Sequence, residues 1–171
     1  MSPPLFGVVG WKNSGKTTLM VGLVRELTRR GYSVSVVKHA HASFEIDHVG
    51  RDSFKLREAG AHEVALSSPR RFALMRELRD APEMPFEEVL SYAGSTDLVL
   101  IEGYKSESLP KIEIRREGAA SKESLHGVVP NVVAIASDFR DVGDAPLPFF
   151  QLEDIAGIAD FIVAYLGLRH P

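Results

Sequence analysis

The chain divides into short apolar runs and longer amphipathic stretches. Three apolar runs predict buried strands, and they span residues 5–9, 98–101 and 132–136. The valine-rich residues 33–37 predict a further strand. Apolar side chains recur at helical spacing over residues 17–30 and again over 155–166, which predicts two amphipathic helices. Gly31 directly after the first of them is typical of a helix C-terminus.

Weaker patterns fill the middle of the chain. Residues 52–59 and 86–92 predict short helices, and residues 63–66 predict a strand. Residues 111–115 alternate between polar and apolar, which is typical of a half-exposed strand. Residues 72–78 fit either a strand or a helix.

Strands that alternate with helices predict an α/β fold with right-handed crossovers. We expect a phosphate-loop (P-loop) nucleotide-binding fold, in which a mainly parallel central sheet carries helices on both faces. With 171 residues, the chain has the length of a single domain spanning 1–171.

Composition narrows the classes of partner. Lys and Arg number 20 against 23 Asp and Glu, a formal charge of −3, which argues against a surface built mainly for nucleic acid or an anionic membrane. The absence of cysteine excludes disulfides, thiolate metal sites and cysteine nucleophiles. The sequence contains neither an apolar run of membrane-spanning length nor the features of a signal peptide, so we expect a cytoplasmic protein.

A glycine-rich stretch follows the first predicted strand and fits G-x-x-x-x-G-K-[ST] in full. It consists of Gly10, Trp11, Lys12, Asn13, Ser14, Gly15, Lys16 and Thr17. Glycine allows the close approach by which main-chain amides converge on phosphate oxygens. We expect Lys16 to reach the β- and γ-phosphates of a nucleoside triphosphate and Thr17 to ligate Mg²⁺. Lys12 is either a nucleotide contact made across a dimer or a solvated lysine.

A P-loop needs a carboxylate that holds Mg²⁺ or orients water. Glu102 ends the apolar run 98–101 and therefore lies at the carboxyl edge of the predicted sheet, where ligands bind. Asp97 precedes the same run, and we predict it to be a surface residue. Glu102 stands where aspartate is more usual, so it acts on the metal either directly or through water.

The segment after the second predicted strand is rich in histidine and carboxylate. Asp47 is a second candidate for the Mg²⁺ shell and for catalysis. His39, His41 and His48 are either ligands for Zn²⁺ or Ni²⁺ or members of a polar loop that contacts phosphate, water or backbone. Asp138 follows the run 132–136 and is either an acceptor for guanine N1–H and the 2-amino group or an ordinary loop residue.

Several blocks together resemble the molybdopterin-guanine dinucleotide biosynthesis protein B (MobB) family of P-loop GTPases. The most specific are the histidine segment Val37-Lys38-His39-x-His41 and the motif Glu102-Gly103-Tyr104-Lys105. The shared blocks are residues 10–18, 37–41, 44–53, 57–61, 97–105 and 110–113. Arg at position 51, where the family usually has Lys, keeps the charge.

The resemblance implies a GTP-binding protein with slow, Mg²⁺-dependent GTPase activity, whose nucleotide-binding loop extends to Thr18. It also implies a homodimer in which strands outside the core sheet assist pairing. The implied partner is the guanylyltransferase that joins GMP to molybdopterin, and pathway intermediates are further candidate ligands.

Three other functions remain open at this point. A small-molecule kinase could use the same fold, although the sequence has no obvious arginine-rich lid beyond Arg70, Arg71, Arg76 and Arg79. A nickel or zinc metallochaperone GTPase would use the histidine segment. A non-catalytic adaptor would use the nucleotide only to order a loop for its partner.

Overall fold

The computed structural model describes residues 3–40, 44–139 and 146–169. Their contacts group the chain into two compact units, one formed by residues 1–39 with 89–171 and the other by residues 40–88. In chain order the elements are β1 (Leu5–Gly10), α1 (Lys16–Arg29), β2 (Val34–Lys38), α2 (Asp52–Glu58), β3 (Glu63–Ser68), β4 (Arg71–Arg76), α3 (Phe86–Ser91), β5 (Leu98–Glu102), β6 (Lys111–Arg115), β7 (Val132–Ser137), β8 (Phe149–Gln151) and α4 (Ile155–Leu166).

The larger unit contains a six-stranded sheet in the order β2-β5-β1-β6-β7-β8. Every neighbouring pair of strands runs parallel. The α/β fold with a mainly parallel sheet is therefore confirmed, and β5 is an interior strand, as its continuous apolar run predicts. The three-residue strand β8 was not anticipated, because it is too short to show a period.

The main core lies between one face of this sheet and the helices α1 and α4. It consists of buried apolar side chains from the strands and from both helices, among them Phe6, Val8, Leu19, Leu23, Leu27, Leu100, Ile112, Ile114, Ile158 and Ile162. Full burial of each such side chain contributes about 1.5–3 kcal/mol. On the other face, Val9 and Val132 pack with Leu125 and Val129 from the segment between β6 and β7.

The expectation that β6 is half-exposed is wrong, because its polar side chains are buried as fully as its apolar ones. The stem of Lys111 lies inside the protein, and its ammonium donates to the carbonyl oxygens of Leu109 and Pro130, both at 3.0 Å, and of Glu107. A polar residue can occupy an interior position when each of its hydrogen-bonding groups is satisfied there.

The second polar side chain of β6, Glu113, is also completely buried. It accepts hydrogen bonds from Arg115 Nε at 2.9 Å and Nη2 at 3.1 Å. It also accepts from the backbone N–H groups of Leu125 at 2.8 Å and His126 at 3.0 Å. This buried ion pair therefore ties the following segment to the sheet.

The smaller unit contains α2 and an antiparallel hairpin formed by β3 and β4. The ambiguous residues 72–78 thus belong mainly to a strand. The hairpin supplies the extra strands outside the core sheet, and large apolar side chains on it are exposed, namely Leu66, Phe72 and Leu74. The use of these strands in a dimer stays a prediction. None of the helices in the described ranges combines the length and the apolar character that a membrane span requires.

Candidate functional site

The predicted P-loop connects β1 to α1. Gly15 precedes the helix with φ of 91°, and no side chain caps the helix N-terminus. Asn13 also has a positive φ, of 64°. The first turn of α1 contains no acidic side chain. The backbone N–H groups and the positive end of the helix dipole are therefore available to an anion.

Gly10 and Ser14 form the tightest part of the loop. A Cβ on Gly10 would lie 2.5 Å from Ser14 Oγ and 2.7 Å from the carbonyl oxygen of Ile114, so only glycine fits here. Among the described residues, the buried Ser14 hydroxyl has no hydrogen-bond partner. A buried polar atom of this kind normally requires a partner. The loop thus has the close backbone approach and the spare polar group that suit a phosphate ligand.

Lys16 folds back over the loop. Its ammonium donates to the carbonyl oxygens of Gly10 at 3.1 Å and Trp11 at 2.7 Å. Burial lowers the pKa of Lys16; nearby Glu102 acts in the opposite sense, and the positive charges of Lys105 and Lys38 reinforce the lowering. The P-loop ammonium is therefore placed among other cations, an environment that favours a bound polyanion.

Glu102 lies beside the first turn of α1. The Thr17 hydroxyl donates to its carboxylate, with distances of 3.2 Å to Oε1 and 3.3 Å to Oε2. The Glu102 side chain is 9% exposed, and Lys38 Nζ lies 3.1 Å from Oε1. A hydroxyl and a carboxylate are oxygen ligands of the type that Mg²⁺ prefers. Thr17 and Glu102 are thus brought together as predicted and could hold that ion.

The chain turns sharply after Glu102. Gly103 has φ of 90°, and a Cβ there would lie 3.0 Å from His39 Cβ, so glycine is required by both angle and space. The rings of His39 and Tyr104 pack with centroids 4.8 Å apart. The backbone N–H of His39 donates to the Glu102 carbonyl oxygen at 2.9 Å. These contacts fix the backbone that carries the carboxylate.

Trp11 is held from two sides. Its indole N–H donates to the Glu123 carbonyl oxygen at 2.8 Å, and the Lys105 ammonium lies 4.5 Å from its ring centroid. The next residue, Lys12, accepts from the Ala120 N–H at 2.9 Å through its carbonyl oxygen. The segment between β6 and β7 therefore supports the outer part of the P-loop.

The two carboxylates that flank the run 98–101 have different surroundings. Asp97 accepts from the Ser33 hydroxyl at 2.6 Å and from the Ser33 N–H at 2.7 Å, and these hydrogen bonds lower the pKa of Asp97. It lies at the opposite end of β5 from Glu102. Asp97 thus has a structural contact, in agreement with its predicted surface role.

Other predicted nucleotide contacts lie around the same edge of the sheet. Lys12, Asn13 and Thr18 are exposed on the loop and on the first turn of α1. Asp138 is exposed directly after β7, and its carboxylate accepts from the backbone N–H of Glu117 at 3.0 Å. One carboxylate oxygen is thereby fixed in place at the carboxyl end of a strand.

Asp47 belongs to the smaller unit, where it forms part of a network around Arg57. It accepts from the Ser53 hydroxyl at 2.9 Å and the His48 N–H at 2.9 Å, and Arg57 Nε lies 3.2 Å away. Burial acts to raise the pKa of Asp47, but the hydrogen bonds from Ser53, His48 and Arg57 outweigh it and hold the pKa below its usual range. Arg57 also pairs with Glu77 at 2.5 Å. The role of Asp47 in the Mg²⁺ shell stays a prediction.

The histidine segment and the arginine stretch were candidates for other activities. No group of three or more His, Asp or Glu side chains suited to a metal ion occurs within residues 3–40, 44–139 and 146–169, and His41 lies outside these residues. Arg76 pairs with Glu63 and Glu88, and Arg79 donates to the Gly60 carbonyl oxygen. The charges of these two arginines are thus engaged within the smaller unit.

Sequence reasoning assigned no role to Lys38 or Lys105, although both lie in the blocks that carry the family resemblance. Lys38 ends β2 and is paired in register with Glu102. The rule that parallel strands bring their carboxyl ends to one edge, already used for Glu102, could have identified it.

Comparison with known proteins finds a matching family and similar bacterial relatives. A family described as molybdopterin guanine dinucleotide synthesis protein B matches residues 5–138. The chain is 35% identical over 165 residues to the molybdopterin-guanine dinucleotide biosynthesis adapter protein of Escherichia coli strain K12, covering 95% of this chain and 93% of that protein. It is 36% identical over 167 residues to the adapter protein of the same description from Haemophilus influenzae, covering 98% and 92% of the two chains.

Solved structures give the same result for the fold. The crystal structure of a MobB protein homolog from Bacillus stearothermophilus superposes with a TM-score of 0.73 at 28% identity, covering 96% of this chain and 99% of that one. A crystal structure of Bacillus subtilis MobB superposes with a TM-score of 0.73 at 26% identity, covering 95% and 98%.

Proposed function

Because the chain belongs to the molybdopterin guanine dinucleotide synthesis protein B family, we propose that it is an adapter protein of molybdopterin-guanine dinucleotide biosynthesis that works by binding GTP with Mg²⁺. The adapter role is that of its relatives in Escherichia coli and Haemophilus influenzae.

The contact between Thr17 and Glu102 is the main support for binding of a nucleotide with Mg²⁺. A hydroxyl in the first turn of α1 and a nearly buried carboxylate at the end of β5 lie 3.2 Å apart beside the P-loop. Both are hard oxygen ligands, and Mg²⁺ takes few protein ligands of this kind together with phosphate oxygens and water. The spare Ser14 hydroxyl and the close approach at Gly10 fit the phosphates.

Each residue of the site then has a defined task. The backbone amides of the loop and Lys16 bind and orient the phosphates, and Thr17 and Glu102 would hold the metal ion, which supplies neutralisation of phosphate charge. Glu102 also orients the attacking water. Because the metal and one lysine carry most of the charge neutralisation, slow hydrolysis is expected without a further arginine.

The proposed base specificity rests on Asp138. A carboxylate can accept from guanine N1–H and the 2-amino group together, and adenine offers no such pair of donors. The hydrogen bond from the Glu117 N–H fixes one of its oxygens after β7. The proposed partner is the guanylyltransferase that attaches GMP to molybdopterin, and the β3–β4 hairpin is the proposed contact between two copies of the chain.

Replacement of Glu102 by Gln should separate binding from hydrolysis. Glu102→Gln keeps the shape of the side chain but removes the charge that would hold the metal ion and orient water, so single-turnover hydrolysis of GTP should fall by about 100-fold or more. Binding of GTP, measured by calorimetry, should persist because the P-loop contacts are intact. Asp97→Asn, at the other end of β5, is the matched control and should hydrolyse GTP at the wild-type rate. Equal rates in Glu102→Gln and wild type would contradict the assignment.

Replacement of Asp138 by Asn should change base preference. The wild-type protein should bind GTP more tightly than ATP, with ITP between them because inosine lacks the 2-amino group. The affinity of Asp138→Asn for GTP should be about 10- to 150-fold lower, which corresponds to the free energy of hydrogen bonds to a charged acceptor. It should gain affinity for XTP, whose C2 carbonyl accepts from the new amide. Equal wild-type affinities for GTP, ITP and ATP would exclude guanine recognition by Asp138.

A further inference from the structure

Lys38, the last residue of β2, contacts both Thr17 and Glu102. Its ammonium lies 3.1 Å from Glu102 Oε1 and also donates to the Thr17 hydroxyl at 3.2 Å. It therefore bridges the same two side chains that would ligate Mg²⁺. A positive charge already sits between the hydroxyl and the carboxylate.

The two members of this ion pair differ in their access to water. The Glu102 side chain is 9% exposed, whereas that of Lys38 is 50% exposed. An ammonium on a flexible four-carbon stem can turn into solvent at little cost. A nearly buried carboxylate left without a cation pays a desolvation penalty. Separation of the ion pair should therefore cost more free energy at Glu102 than at Lys38.

The neighbouring strand fixes the position of the Lys38 backbone. The backbone of Lys38 pairs with that of Glu102 in the parallel register of β2 and β5. Lys16 donates to the carbonyl oxygens of Gly10 and Trp11. Lys38 is therefore the ammonium that the fold places against both Thr17 and Glu102.

We propose that Lys38 is a resident counter-ion of Glu102, which occupies the place of a divalent cation between Glu102 and Thr17 and must leave it before Mg²⁺ binds. The inference rests on the proposed function, since it takes these two residues as Mg²⁺ ligands. Lys38 then keeps the carboxylate neutralised in the nucleotide-free protein. It also lowers the affinity of the site for a bare divalent ion, so that metal binds together with nucleotide.

The test uses the nucleotide-free protein and Mn²⁺, which takes the same oxygen ligands as Mg²⁺ and is counted by the electron paramagnetic resonance of the free ion. Lys38→Met keeps the length of the side chain without its charge. We expect its Mn²⁺ affinity to exceed that of wild type by about fivefold or more. Lys55→Met, which removes an exposed lysine paired with the fully exposed Asp52, is the matched control and should match wild type.

Thermal unfolding gives a second, independent readout. In EDTA, Lys38→Met should melt below wild type by about 2–4 °C, because Glu102 has lost its cation. Millimolar MgCl₂ should reverse this loss in Lys38→Met and leave the melting temperature of wild type unchanged. The double variant Lys38→Met with Glu102→Gln should melt as wild type does in EDTA and show no response to Mg²⁺.

Two results would overturn the proposal. One is an unchanged Mn²⁺ affinity in Lys38→Met, and the other is an equal rise in melting temperature with MgCl₂ in wild type and Lys38→Met. Neither measurement contains nucleotide. Failure of the wild-type protein to bind GTP would therefore count against the proposed function and not against the counter-ion role of Lys38.

Discussion

Replacement of Lys16 by Met should abolish tight binding of GTP. The side chain keeps most of its length but loses the charge that we propose pairs with the β- and γ-phosphates in the P-loop. Removal of one partner of a desolvated charge pair costs about 2–5 kcal/mol, which is a loss of about 30-fold to several thousand-fold in affinity. Isothermal titration calorimetry with GTP and Mg²⁺ measures the effect directly.

The loss of the phosphate contact must be distinguished from a loss of affinity caused by unfolding of the loop. Lys16 also donates to two loop carbonyl oxygens in the free protein, so melting temperatures of wild type and Lys16→Met have to be compared. Lys55→Met removes a remote, exposed lysine and should bind GTP as wild type does. A folded Lys16→Met protein with unchanged affinity for GTP would show that the P-loop does not bind phosphate.

Replacement of Glu113 by Ala should cause the largest loss of stability. The change removes the carboxylate that pairs with the buried Arg115 guanidinium, which keeps its hydrogen bond to Ser124 Oγ. It also deprives two backbone N–H groups, of Leu125 and His126, of their acceptor. Removal of one member of a buried ion pair costs about 3–5 kcal/mol, a large part of the 5–15 kcal/mol typical of a domain. Urea denaturation should show a corresponding fall in the free energy of unfolding.

Glu117 offers a matched control on the same segment. It pairs with Lys122, but both side chains are more than half exposed, and such pairs contribute about 0–1 kcal/mol. Glu117→Ala should therefore be nearly neutral for stability. A loss below about 1 kcal/mol in Glu113→Ala as well would show that the buried pair does not stabilise the fold.

The apolar pattern predicted the central strands well because it records burial directly. The runs 98–101 and 132–136 are continuous, as expected of strands covered on both faces, and both lie inside the parallel sheet. The position of Glu102 followed from the same reasoning. A carboxylate at the end of a buried parallel strand beside a P-loop has few places to lie, and the structure puts it against Thr17.

The pattern failed where polar groups are satisfied by partners distant in the sequence. Lys111 and Glu113 alternate with apolar residues and therefore suggested exposure. Besides their local partners, however, they hydrogen-bond to Pro130, Leu125 and His126, which follow 12 to 19 residues later. No local period records such pairing. The contact between Lys38 and Glu102 was missed for a related reason, because the two residues are neighbours only through the pairing of β2 with β5.

Trp11 is the only tryptophan in the chain, and it lies within the loop that should receive the phosphates. Its indole N–H and ring face are both engaged, by the Glu123 carbonyl oxygen and the Lys105 ammonium. When the protein is excited at wavelengths longer than tyrosine absorbs, its intrinsic fluorescence therefore comes from one position in the proposed phosphate-binding loop. We expect the proposed binding of GTP to change this emission, which would report arrival and release of the nucleotide in real time without a dye attached to either molecule.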